Sequence, residues 1–107
     1  MPFKLTILGS GSAIPTLNNK PTAQLLNVNE RFFLIDCGEG TQIQLRKYNI
    51  NLQRINYVFI SHLHGDHYLG LIGLLSSMSL LNRRKELIIY APKGLESIVK
   101  LHLKLSY

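Results

Sequence analysis

Three of the chain's four histidines fall within seven consecutive positions, Ser61-His62-Leu63-His64-Gly65-Asp66-His67, and the residues on either side fix the kind of fold that can hold them. Residues 55–60, Ile-Asn-Tyr-Val-Phe-Ile, form the best strand in the chain. Residues 68–81 carry Leu69, Leu71, Ile72, Leu74, Leu75, Met78, Leu80 and Leu81. They are apolar almost all round, which suits a helix buried between layers. A polar loop that leaves a strand and enters a buried helix is where α/β proteins place ligands.

The remaining elements agree with that frame. Apolar, β-prone runs at 3–8, 22–28, 31–35 and 87–90 read as strands, with a turn near Asn29-Glu30 between the second and third. Gly9-Ser10-Gly11-Ser12 reads as a turn, and 13–21, with Pro15, Asn18, Asn19 and Pro21, as an extended loop. Residues 38–49 can form a helix with Thr41 as N-cap. Another helix opens behind Pro92 and covers about 93–104. Its end is ambiguous, because Leu95, Ile98 and Val99 keep helical spacing whereas Val99, Leu101, Leu103, Leu105 and Tyr107 alternate as a strand would. Helix is the favoured reading. Strands before and between helices predict an α/β layered fold in one small domain, residues 1–107.

Composition narrows the function classes. With 46% hydrophobic and 17% charged residues the chain is globular and not disordered. No apolar run approaches the roughly 18 residues of a membrane span, and no signal peptide is expected. The lone Cys37 excludes an internal disulfide and fits a cytoplasmic protein. Twelve Lys and Arg against six Asp and Glu give a formal charge of +6. A basic surface concentrates polyanions. The only basic cluster, Arg83-Arg84-Lys85, reads as a solvated loop.

Imidazole nitrogen and carboxylate oxygen are donors that zinc accepts. His62 and His64 can point together onto one ion. Gly65 lets the chain turn, after which Asp66 and His67 can face a second ion a few ångströms away. Two such ions would clamp a phosphate and generate hydroxide at neutral pH. Asp36, closing an apolar strand before Cys37-Gly38-Glu39-Gly40-Thr41, reads either as a cap or as part of a functional turn. Cys37 reads as a packed small hydrophobe, Lys20 as a loop residue and His102 as a surface histidine of the last helix.

The spacing of His62, His64, Asp66 and His67 resembles the HxHxDH signature of the metallo-β-lactamase superfamily. The wider sequence is similar to the ribonuclease Z family. The matching blocks are Leu8 to Pro15, Asp36 to Gln42, Ser61 to His67 continued by Gly70-Leu71, Gly73-Leu74-Leu75 and Ser77-Met78, and Ile89 to Gly94. Ala91 stands where the family commonly has glycine, and Asn18-Asn19-Lys20-Pro21-Thr22 where an arginine-asparagine pair is frequent.

The resemblance implies the first half of a metallo-β-lactamase-type αββα sandwich. It implies His62 and His64 on one zinc ion, Asp66 and His67 on a second, Asp66 also as the base for the attacking water, and Asp36 supporting the histidine loop. The implied activity is removal of the 3′ trailer from precursor tRNA. Later ligands of the complete two-zinc site and the tRNA-gripping arm have no counterpart in these residues, so the 107-residue chain is expected to be inactive alone and to associate as a homodimer. Other readings are a fold relative that hydrolyses a small phosphodiester or sulfate ester, and a non-catalytic fragment.

Overall fold

The computed structural model describes residues 3–11, 14 and 19–106; Ser12, Ala13, Pro15 and Asn18 of the opening block and loop, and Tyr107 of the alternating row, lie outside them. Five strands form one sheet in the order of the chain: β1 (Phe3–Gly9), β2 (Ala23–Val28), β3 (Arg31–Ile35), β4 (Ile55–Phe59) and β5 (Ile88–Tyr90). The first two pairings are antiparallel and the last two parallel. Parallel neighbours need crossovers. The β3–β4 crossover carries α1 (Thr41–Lys47), the β4–β5 crossover carries α2 (Gly65–Tyr68) and α3 (Leu71–Leu80), and α4 (Leu95–Ser106) follows β5. The α/β expectation and all five strands hold, with ends displaced by no more than one residue.

The β2–β3 hairpin turns at Asn29 and Glu30, whose φ values of 52° and 67° both lie in the left-handed region. Positive φ at both central residues is what a two-residue turn of type I′ demands. Asn27 Oδ1 supports the turn by accepting the Glu30 N–H at 2.8 Å.

The two faces of the sheet differ. Ala23, Leu25, Phe32, Leu34 and Val58 are buried in one core cluster with Leu45 of α1, Leu71, Leu74 and Met78 of α3, and Leu95 of α4. On the opposite face, register aligns Leu5, Leu26, Phe33 and Tyr57 across four strands, and Ile35, Phe59 and Tyr90 across three. Phe33 stacks on Tyr57 and Phe59 on Tyr90, each pair with ring centroids 5.0 Å apart. Cross-strand aromatic neighbours of this kind stabilise a sheet. Phe3, Leu5, Ile7, Phe59 and Tyr90 of this face are exposed, and Phe33, Ile35 and Phe59 border an open apolar hollow.

Several expectations need correction. The helix read over 38–49 is confined to Thr41–Lys47, because Gly40 (φ 84°) and Asn49 (φ 59°) are left-handed. Thr41 is not an N-cap; it is the first helical residue, and its hydroxyl donates to the Gly38 carbonyl at 2.6 Å. The stretch 68–81 is not one helix: Tyr68 ends α2, Leu69-Gly70 is a break, and α3 covers Leu71–Leu80. It is not buried all round: Leu71, Leu74 and Met78 face the core, while Leu69, Leu80 and Leu81 are exposed. The last helix starts at Leu95 and not at 93, since Gly94 has a φ of 104°. It continues as helix through Ser106, so the alternating row is no strand. Arg83 is not merely solvated. It donates to the Gln53 carbonyl, Asn56 Oδ1 and the Lys85 and Glu86 carbonyls, tying the loop after α3 to β4, and partial burial lowers its pKa.

Candidate metal centre

The histidine segment starts where β4 ends. Ile60 is buried and its N–H still pairs with the Tyr90 carbonyl at 2.8 Å, so the chain leaves the sheet at Ser61. His62 and His64 lie on the loop. Asp66 and His67 do not: they belong to α2, a single turn closed by His67 N–H to His64 C=O at 2.9 Å and Leu69 N–H to Gly65 C=O at 2.9 Å. Gly65 opens this turn without a positive φ, so the freedom expected of it is not used. A Cβ there would instead meet Leu69 Cδ1 at 3.2 Å.

The end of β3 holds the segment from beneath. Asp36 N–H pairs with the Phe59 carbonyl at 2.7 Å, Cys37 N–H with the His67 carbonyl at 2.8 Å, and Gly70 N–H with the Cys37 carbonyl at 2.9 Å. These backbone bonds fasten α2 and the start of α3 to residues 36–37. The Cys37 side chain is buried, and that burial, followed by the nearby Asp36 charge, pushes its thiol up to about 12 against a lowering hydrogen bond with Thr41. A thiol so placed is inert as a nucleophile, in line with its reading as a small hydrophobe.

Asp36 is the centre of the polar network. It is buried, with φ 61°, a conformation that short polar residues tolerate better than most. One carboxylate oxygen accepts the Ser61 N–H at 2.8 Å, and both lie 2.9 Å from Ser61 Oγ. Oδ2 also lies 2.9 Å from His67 Nδ1. Because carboxylate oxygen accepts, His67 carries its proton on Nδ1 and leaves Nε2 as the free donor atom. Asp36 thereby fixes the His67 tautomer, as groups behind a metal ligand commonly do. Ser61 had no role in the sequence reading; the only signal for it was a hydroxyl beside the first histidine.

The three imidazoles stand together, with centroids 5.8 Å apart for His62–His64, 4.9 Å for His62–His67 and 6.2 Å for His64–His67. Asp66 Oδ2 lies 3.6 Å from His67 Nε2, beyond hydrogen-bonding distance. Among the described residues, no three His, Cys, Asp or Glu side chains converge as the ligands of one ion. The donor chemistry fits zinc, which accepts imidazole nitrogen and carboxylate oxygen. His102 is half-buried, lining a small cavity between α3 and α4 with Ile72, Leu75, Ser76 and Ser79. Lys20 contributes its carbonyl, which accepts Gly11 N–H at 2.9 Å.

A mixed sheet with helices packed on one face and a histidine loop at the C-terminal end of a parallel strand defines a protein of the metallo-β-lactamase fold, of which this chain covers part. Residues 3–106 match the family described as "Anti-Pycsar protein Apyc1", and the chain belongs to that family. It is 54% identical over 97 residues to ribonuclease Z of Bacteroides fragilis, an alignment covering 91% of this chain and 32% of that protein. Human tRNase Z, short form, superposes with a TM-score of 0.90 at 43% identity, covering 95% of this chain and 40% of that one. The metallo-β-lactamase fold protein YhfI of Bacillus subtilis superposes with a TM-score of 0.77 at 25% identity, covering 100% of this chain and 44% of that one. The resemblance to the N-terminal part of ribonuclease Z therefore stands, and the chain spans about a third of the length of the curated relatives it matches.

Proposed function

We infer that the protein is a zinc-dependent endoribonuclease that removes the 3′ trailer of precursor tRNA. The observation that carries this reading is the anchoring of the histidine segment, with His67 held by buried Asp36 and the three imidazoles gathered above it. The similarity to ribonuclease Z and to human tRNase Z supports the choice of substrate.

In this reading His62 and His64 hold one zinc ion, and Asp66 and His67 the other. Two zinc ions at such a site supply a water acidic enough to be deprotonated at neutral pH, and positive charge for the phosphate oxygens. Asp66 accepts the proton of the attacking water as general base. Asp36 keeps His67 oriented with Nε2 outward. The net positive charge of the chain favours approach of a polyanion. Residues 1–107 are one part of a larger catalytic domain, working in the cytoplasm as a homodimer. In this reading the 107 residues do not catalyse alone.

The test is Asp66→Ala in the full-length enzyme. Cleavage of precursor tRNA should fall by at least about 100-fold, the low end for loss of a general base. tRNA binding should change little, since affinity comes from phosphate and shape contacts spread over the surface. Parallel loss of binding and cleavage would overturn the assignment of Asp66. A second reading, hydrolysis of a small phosphodiester at the same site, draws on the family match, whose description is not that of a tRNA-processing enzyme. Turnover of a small phosphodiester together with intact precursor tRNA would favour it.

A further inference from the structure

Ser61 Oγ touches four polar atoms. It is 2.9 Å from each carboxylate oxygen of Asp36, 3.0 Å from His62 Nδ1 and 3.2 Å from His67 Nδ1. A serine hydroxyl has one proton and two lone pairs. If the proton pointed at His62, the Oγ lone pairs would face two acceptor oxygens at 2.9 Å, an arrangement with no hydrogen bond in it. The proton therefore goes to Asp36. The oxygen is then an acceptor for the ring beside it. His67 Nδ1 already has the shorter contact to Asp36 Oδ2, at 2.9 Å. The ring left to donate to Ser61 is that of His62, through Nδ1–H.

We propose that Ser61 is a positioning residue: its hydroxyl relays the Asp36 carboxylate to His62 and determines which nitrogen of that imidazole faces a metal ion. This proposal rests on the metal-site reading above and extends it. With Nδ1 protonated toward Ser61, a neutral His62 has only Nε2 free to donate. One buried carboxylate thereby sets two rings, His67 directly and His62 through the serine. The two rings belong to different proposed zinc ions, so Asp36 and Ser61 couple the orientation of both. Ser61 is well placed for this because its own N–H is pinned to Asp36 Oδ1 at 2.8 Å, which leaves the hydroxyl little freedom to seek another partner.

The experiment compares full-length wild type, Ser61→Ala and Ser61→Thr by ¹⁵N spectroscopy of the imidazoles in the metal-free protein, and by zinc titration. In wild type His62 should show the Nδ1–H tautomer. In Ser61→Ala it should shift toward the Nε2–H form or a mixture, while His67, held by Asp36 itself, keeps its signal. Zinc affinity should fall by about 10- to 100-fold, the usual effect of removing a group that orients a ligand. Ser61→Thr retains a hydroxyl and should restore both. An Nε2–H tautomer of His62 in the wild type overturns the proposal, whether or not either variant folds. So does an unchanged tautomer and zinc affinity in Ser61→Ala, or a Thr variant that behaves like the Ala variant. Failure of the wild-type protein to take up zinc would instead sink the metal-site reading, and the tautomer measurement would still decide the role of Ser61.

Discussion

Gly38 and Gly70 meet backbone to backbone: a Cβ built on Gly70 would stand 2.0 Å from the Gly38 carbonyl oxygen. The contact brings the start of α3 against the turn after β3 and permits the Gly70 N–H to reach the Cys37 carbonyl at 2.9 Å. Neither side has a flexible group that can give way. Gly70→Ala should therefore destabilise the fold by about 3 kcal/mol or more, at or beyond the upper end of ordinary overpacking. Urea unfolding of the variant checks this. A loss below about 1 kcal/mol would mean that the two segments separate easily.

Asp36→Asn and Asp36→Ala should have different effects. Asparagine tolerates positive φ and retains a carbonyl for the Ser61 N–H, so its cost in stability should be small. Alanine leaves that N–H without its acceptor and should cost about 1–3 kcal/mol. The asparagine variant should nonetheless lose zinc affinity about 10- to 100-fold, because an amide N–H facing His67 Nδ1 forces the proton onto Nε2. Thermal unfolding beside zinc titration separates the two effects. Equal zinc affinity in wild type and the asparagine variant would count against tautomer control by Asp36.

The hairpin turn invites a stabilising change. Glu30 sits at φ 67° in a turn whose second position favours glycine. Its carboxylate pairs with Arg54 at 2.6 Å, which holds its pKa below the ordinary glutamate value, but both side chains are largely exposed. Exposed pairs contribute little. Arg54 also lies over the Phe32 ring, 4.3 Å from its centroid, a contact that survives loss of the glutamate. Relief of the strained backbone should outweigh the lost pair, so Glu30→Gly should raise the melting temperature. A lower one would show that the ion pair outweighs the strain.

The uncovered sheet face should govern the behaviour of the 107-residue chain alone. Phe3, Leu5 and Ile7 of β1, Phe59 of β4 and Tyr90 of β5 are exposed there, with half-buried Leu26, Phe33, Ile35 and Tyr57 on the strands between. Contiguous apolar patches beyond a few hundred Å² are rare on soluble monomers. The chain should therefore run as a dimer or larger in size-exclusion chromatography with light scattering, and Phe59→Glu should shift it toward monomer. A monomeric wild type at micromolar concentration would refute this.

The sequence by itself determined the five strands, the α/β class and the position of the histidine segment behind β4. Each depends on short-range information: alternation of apolar residues, Gly and Pro as breakers, and ligand types packed into a few positions. His62, His64, Asp66 and His67 are grouped because they are neighbours in the chain. Their supports are not neighbours. Asp36 lies 25 residues before Ser61 and 31 before His67, and only the parallel pairing of β3 with β4 brings the ends of those strands together. The break between α2 and α3 came from the same source. Leu69-Gly70 has no breaker signal strong enough to stop a helix alone, but Gly70 must approach Gly38. Arg83 resembled any solvated cation until Asn56 of β4 and Gln53 just before that strand offered it acceptors. Local composition selects strands, turns and ligand types. Which carboxylate faces which imidazole depends on contacts between distant segments, and those form only when the sheet assembles.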